Sequence, residues 1–83
     1  MMRTFRMVAE PPGSRDERGV HVAGFICIDI VLRGELADVR AVTPIVRAFL
    51  DVGCNLVGAW VDEGTERESV TFGVASGVIE AST

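Results

Sequence analysis

The sequence predicts an α+β domain, a four-stranded and mainly antiparallel sheet with one helix packed on one face. Apolar residues alternate with a period of two in four separate segments, which is typical of β-strands. The one segment with helical spacing lies between the second and third of them, so the predicted order is β-β-α-β-β. At 83 residues, we expect the whole chain, 1–83, to form a single domain.

The first two strands are predicted from their alternation. In residues 3–9, Phe5 and Met7 fall on the same side. Residues 10–19 contain two prolines, a glycine and mixed charges, which is typical of a loop. Residues 20–33 give the strongest strand pattern, because nearly every even position is aliphatic and often β-branched. The even positions should therefore face the core, and the odd positions, which are half apolar, should face the other way.

Helical structure is predicted after Gly34. A short helical turn is expected near residues 35–40, and Thr43 followed by Pro44 marks the start of a helix over 44–52, with Thr43 as N-cap. Gly53 is placed for a left-handed C-cap. The apolar stripe of this helix consists of Ile45, Val46, Phe49 and Leu50.

The second half of the sheet is predicted over 55–62 and 69–75. The polar segment 62–68 reads as a turn, and Ser76-Gly77 reads as a bend or bulge before Val78-Ile79. One helix covers only one face of such a sheet. The other face should carry Phe25, Cys27, Asp29 and Trp60. The predicted core is Phe5, Met7, Ile26, Ile28, Ile30, Ile45, Phe49, Leu50, Phe72 and Val74.

Composition limits the classes of partner. The net charge is -4 and the isoelectric point is near 4.8, which argues against direct binding of nucleic acid or of an anionic membrane. The same charge favours a basic protein partner. Hydrophobic residues make up 48% of the chain, so we expect surplus apolar surface to be covered by a partner or by a second copy.

The cysteines and the N-terminus predict a cytoplasmic protein. Cys27 and Cys54 are too few for a disulfide scaffold and lie in apolar runs, where free cysteine commonly packs as a small hydrophobe. Residues 1–6 contain no apolar core of a secretory signal. The longest apolar run, 20–32, is interrupted by His21 and Asp29 and is too short to span a membrane.

No catalytic, metal-binding or cofactor-binding residue is predicted. His21 and Cys27 lie roughly 20 Å apart along one strand, too far for a nucleophile and its base. The spacings of a zinc site, an EF-hand and a glycine-rich phosphate loop are all absent from the sequence. A small enzyme assembled between subunits, with Asp29 and His21 as acid–base groups, is retained as an alternative.

The remaining candidate residues predict protein binding. Asp62, Glu63, Glu66 and Glu68 concentrate negative charge beside Trp60, and an aromatic residue at the margin of an acidic patch is a typical binding anchor. Together with Phe25 and Asp29, they predict a non-enzymatic protein that binds, and inhibits or masks, a larger basic protein that handles nucleic acid. Immunity proteins, antitoxins and phage-encoded inhibitors are examples of this class. The alternative is a homodimer or other homo-oligomeric subunit, or a small-ligand regulatory domain, pairing through its second sheet face.

Overall fold

The computed structural model describes residues 2–34, 38–75 and 78–82, with the side chains of 74, 75, 78, 80 and 82 excepted. It confirms the α+β class. The elements are strands β1 (Met2–Glu10) and β2 (Ile26–Arg33), a short 3-10 helix (Val39–Val42), helix α1 (Thr43–Asp51), and strands β3 (Asn55–Glu63), β4 (Glu66–Ser69), β5 (Thr71–Ala75) and β6 (Val78–Ser82).

The first four strands form one antiparallel sheet in the order β2-β1-β3-β4, and β5 and β6 form a separate two-stranded sheet. Strand β1 therefore lies inside the larger sheet and pairs on both sides. Its register with β3 shifts once: Val8 lies opposite Gly58 and Ala9 opposite Leu56. Val57 is the extra residue of this bulge, which explains why its apolar side chain is exposed.

The core lies on one face of the larger sheet. Phe5 and Met7 of β1 are fully buried there, and Phe5 contacts Phe72 of the second sheet edge to face, with ring centroids 6.1 Å apart. Because α1, the 3-10 helix and the β5–β6 sheet all pack on this side, the opposite face of the larger sheet is uncovered in the described structure. The buried cluster consists of Phe5, Met7, Leu32, Val39, Val42, Val46, Ala59, Val61 and Val70.

Strand β2 begins later than predicted. Val20 and Val22 are exposed and lie in the loop before it, so their place in the strand pattern was misleading. The loop is organised by its own hydrogen bonds instead, including an isolated bridge between Arg15 and His21. From Ile26 onward the prediction of the buried face is correct, since Ile28 and Ile30 pack against the core and Leu32 is buried.

The helix also begins differently. Thr43 already has helical backbone angles, because the 3-10 helix runs directly into α1, so its side chain does not act as the predicted N-cap. Asp38 caps the 3-10 helix instead, accepting a hydrogen bond from the backbone N–H of Arg40. Gly53 adopts φ 94°, as expected for the residue that ends the helix.

The predicted turn over 62–68 is a β-hairpin. Glu63 pairs with Glu66, and only Gly64 and Thr65 lie between the two strands. The chain then passes through buried Val70 into β5. The predicted bend at 76–77, the beginning of the predicted helical turn at 35–37 and the side chain of Val74 fall outside the described residues.

The helix buries a slightly different stripe from the predicted one. Val46 is fully buried, whereas Ile45 is 39% exposed. Phe49 and Leu50 pack against the core as expected, and Val42 extends the stripe one turn earlier. The core therefore includes the end of the 3-10 helix, which orients α1 so that Ile45 faces outward.

These two neighbouring positions provide a stability test. Val46→Ala should lower the free energy of unfolding by about 1–3 kcal/mol, because it leaves a cavity in the core. Ile45→Ala is the matched control and should change it by less than about 1 kcal/mol. Urea unfolding followed by circular dichroism measures both. Equal losses for the two variants would show that α1 does not face the sheet as described.

Candidate protein-binding surface

The uncovered face of the larger sheet is defined by strand register. Residues that lie directly opposite one another across an antiparallel pair project from the same side. Starting from Arg6, which pairs with Asp29 on one side and Trp60 on the other, this rule assigns one continuous surface. We call it the open face; it contains Met2, Thr4, Arg6, Val8, Cys27, Asp29, Val31, Arg33, Gly58, Trp60, Asp62, Arg67 and Ser69.

Charged side chains of alternating sign cross the open face. The Arg6 Nε atom lies 3.7 Å from Asp29 Oδ1 and 3.3 Å from Asp62 Oδ2. Arg67 donates from Nε and Nη2 to the two carboxylate oxygens of Asp62, at 2.7 and 3.0 Å. We call this row Asp29–Arg6–Asp62–Arg67 the charge ladder. It takes one residue from each strand, in spatial order, so its charges largely neutralise one another.

Asp62 is the best-held member of the charge ladder. The hydrogen bonds from Arg67, and then the positive charges of Arg67 and Arg6, keep the pKa of its carboxyl group below the ordinary value, although partial burial opposes them. Ion pairs near the surface contribute little to stability, because water and salt screen them. The ladder therefore orders the surface side chains more than it stabilises the fold.

Trp60 lies flat on the open face. A Cβ atom placed on Gly58 would come within 2.8 Å of the Trp60 indole, so the ring occupies the space above that glycine. The Arg67 guanidinium carbon lies 5.8 Å from the centre of the ring on which it stacks. A glycine beneath and an arginine above thus fix the indole as a half-buried aromatic plate, a type of residue that anchors protein interfaces.

Gly58→Ala tests this arrangement. The added methyl group should displace the indole from the sheet, and tryptophan emission should shift to longer wavelength because the ring moves into water. Gly73→Ala is the control, since an added Cβ there meets no atom within 4 Å. Because Trp60 is the only tryptophan, the emission spectrum reports this site alone. An unchanged spectrum for Gly58→Ala would contradict the contact.

The acidic residues of the β3–β4 hairpin do not all share the open face with Trp60. Glu68 lies opposite Val61, and Glu63 opposite Glu66, so these three carboxylates leave from the side that carries the core. Arg3 Nε donates to Glu63 at 3.1 Å. Glu66 and Glu68 are exposed and form no ion pair with any described residue. We call Glu63, Glu66 and Glu68 the acidic hairpin.

Phe25 lies far from the acidic hairpin. It immediately precedes Ile26, which pairs with Ala9 at one end of β1, whereas Asp62 pairs with Thr4 near the other end. Its ring is 53% exposed and stacks on His21 with centroids 4.2 Å apart. The structure thus brings Asp29, Trp60 and Asp62 together but separates them from Phe25 and places the acidic hairpin on the reverse side.

A buried polar cluster that the sequence did not reveal holds the loop over 11–25. Glu10 is only 5% exposed and accepts hydrogen bonds from Arg15 at 2.8 and 2.6 Å and from Ser14 at 3.3 Å. Arg15 also donates to the backbone carbonyl of Gly19 at 2.7 Å, and His21 Nδ1 lies 3.6 Å from the Glu10 carboxylate. We call this group the loop latch; its one sequence signal is an arginine five residues after the acid that ends β1.

The loop latch ties the loop to the end of β1 through hydrogen bonds to Glu10. The Ser14 hydroxyl donates to Glu10 at 3.3 Å and not to His21, so the imidazole is not placed to activate it. Both His21 ring nitrogens are buried without a hydrogen-bond partner among the described residues. The hydrogen bonds from Arg15 are the largest cause that lowers the pKa of Glu10 below its ordinary value.

The lowered pKa of Glu10 predicts a pH-dependent contribution to stability. A carboxylate with a depressed folded-state pKa stabilises the protein fully above its unfolded-state pKa, near 4.5, and less as pH falls through the folded-state value. The free energy of unfolding of Glu10→Gln should therefore be lower than that of the wild type near neutral pH. The difference between the two should disappear as the pH is lowered. Glu17→Gln, an exposed position, is the control. If the difference in free energy of unfolding persists unchanged below the folded-state pKa, the ionised carboxylate of Glu10 is not what stabilises the fold.

The described residues offer little else for chemistry. Within ranges 2–34, 38–75 and 78–82, no group of three histidine, cysteine, aspartate or glutamate side chains is placed to hold a metal ion. Both cysteines are free: Cys54 is buried, and Cys27 is exposed on the open face, the side of the sheet on which the sequence pattern places it. In the same part of the chain, no helix has the length and apolar character needed to cross a membrane.

Comparisons with protein-family models, with curated proteins and with solved structures found no match to this chain.

Proposed function

We propose that the chain is a non-enzymatic, cytoplasmic protein-binding module whose β4 edge docks on a basic surface of a larger protein. The observation that supports this most directly is the pair of exposed carboxylates of Glu66 and Glu68, which lack an ion-pair partner among the described residues. They stand on a hairpin with a two-residue turn, so their positions are defined by strand pairing rather than by a flexible loop.

The β4 edge presents two kinds of contact together. Strand β4 is the last strand of the larger sheet, so a partner that grips this edge reaches both sides of it. On one side it meets the acidic hairpin, and on the other the indole of Trp60 under Arg67. Long-range attraction to the carboxylates would speed encounter, and the aromatic plate would supply the buried anchor.

Masking follows from the same geometry. A basic surface that binds an acidic hairpin is no longer available to another polyanion, so occupation of a nucleic-acid-binding surface would inhibit the partner. The overall charge of -4 supports such masking, since the bound chain would repel a nucleic acid that approaches the same surface. The proposal requires no catalytic group in this chain.

Charge reversal on the acidic hairpin tests the proposal. The variant Glu66→Lys/Glu68→Lys should reduce the association rate with the partner about tenfold or more at low salt, and added salt should narrow the difference. The partner is first recovered by chemical crosslinking of the tagged wild-type protein and quantitative mass spectrometry, and the rate is then measured by stopped flow.

Glu17→Lys/Asp51→Lys provides the matched control. It makes the same change in net charge at two exposed acids outside the hairpin that also lack an ion-pair partner among the described residues. It should bind at nearly the wild-type rate. If both double variants slow association equally, only net charge matters and the β4 edge is not the docking site; if neither does, the partner is not recognised electrostatically.

A further inference from the structure

The opposite edge of the larger sheet, formed by β2, is open. Strand β2 pairs only with β1, and no other described helix or strand makes more than a marginal contact with it. It is eight residues long and contains no proline, whereas β4 at the other edge has four residues with the sequence ERES. Short, charged edge strands resist pairing with other chains, and a long apolar one invites it.

The charges on β2 are incompletely satisfied. Asp29 and Arg33 both belong to the open face, four residues apart on the same strand. Arg33 has no ion pair with any residue that the structure describes. Among the described residues, Asp29 is paired only with Arg6, at 3.7 Å, and Arg6 lies closer to Asp62, at 3.3 Å. The edge strand therefore carries one weakly held anion and one cation available for a partner.

We propose that β2 pairs antiparallel with β2 of a second copy, in the register that places Val31 opposite Val31 on a two-fold axis. In that register Asp29 of each chain lies opposite Arg33 of the other, and Ile30 lies opposite Leu32 on the core side. The joined sheet would have eight strands. The charge ladder would continue across the seam, because Asp29 would lie beside Arg33 of the second copy.

Charge complementarity selects this register. The possible antiparallel registers that keep both open faces on the same side of the joined sheet differ in which charges they bring together. Centring the axis on Asp29 places the two aspartates together, and centring it on Arg33 places the two arginines together. Centring it on Ile30 places Asp29 opposite Val31 and leaves Arg33 opposite Cys27. The register centred on Val31 pairs both charges with their opposites.

The length of the paired segment predicts a weak dimer. Gly34 follows the strand with φ 61°, so the continuous ladder in this register spans residues 29–33. Five residues from each chain bury less than the standard interface of about 800 Å² per partner. Dimerisation should therefore depend on concentration and on salt. This mode differs from the packing of two sheet faces expected from the sequence, and it leaves the β4 edge free.

A charge-swap experiment tests the pairing. In the Asp29→Arg variant, two cations would lie opposite each other across the seam, and in the Arg33→Asp variant, two anions would. Because like charges repel, each variant should be monomeric alone. An equimolar mixture should dimerise, because both cross-strand pairs are then attractive. Sedimentation velocity over a concentration series up to about 1 mM measures the mass, and circular dichroism establishes that each variant is folded. A wild type that is monomeric throughout, single variants that still dimerise, or a folded mixture that stays monomeric would overturn the proposal.

Site-specific crosslinking tests the register without altering the charges. In a Cys27→Ser background, Val31→Cys should form an intermolecular disulfide on mild oxidation, because directly opposed residues have Cβ atoms about 4.5–5.5 Å apart. Thr4→Cys is the control; Thr4 lies beside Val31 on the open face but on β1. The two copies of Thr4 would be about 14 Å apart in the edge dimer. Crosslinking at Thr4 and not at Val31 would indicate packing of sheet faces and overturn the edge pairing.

Discussion

Pairing of β1 on both of its edges is the constraint on which the remaining structure depends. Strand β1 pairs with both β2 and β3, and its alternate side chains serve two separate purposes. Phe5 and Met7 fill the core, while Arg6 between them joins the charge ladder on the open face. A register slip of one residue would bury Arg6 and expose both apolar side chains, which the burial free energy strongly disfavours. The core and the open face are therefore specified together by the nine residues of β1.

The parts of the fold that periodicity describes could be predicted from the sequence. Alternation identified β1, the buried side of β2 and most of β3, and Gly53 marked the end of the helix. Features that depend on a distant partner could not be found in this way. Residues 20–25 alternate like a strand, yet the loop latch around buried Glu10 competes for this segment and holds it as a loop. Likewise, the orientation of α1 follows from the 3-10 helix before it, so Val46 rather than Ile45 faces the sheet.

The candidate site was harder to predict than the fold, because a sequence gives total charge but not its distribution between faces. Asp62 and Glu63 are neighbours in the chain, yet alternation places them on opposite sides of the hairpin, where they meet different cations. Asp62 is neutralised within the charge ladder, so it adds little to an acidic docking surface. Within the hairpin, the negative charge that lacks an ion-pair partner among the described residues resides with Glu66 and Glu68. The position of the Trp60 ring depends on the space above Gly58, which no sequence pattern indicates.

The two edges of the larger sheet differ in a way that suits two different contacts. At β4, short length and dense charge oppose strand addition, so a partner bound there would contact side chains rather than backbone. Strand β2 has eight residues, of which only Asp29 and Arg33 are charged, so its backbone edge is accessible to a second strand. Among the registers described above, the one centred on Val31 places Asp29 opposite a positive charge. Joining two copies at β2 would place their β4 edges at the two ends of an eight-stranded sheet, about 34 Å apart. A weak dimer with two distant acidic hairpins would bind a partner with repeated basic sites more tightly than either hairpin alone, because the second contact becomes intramolecular.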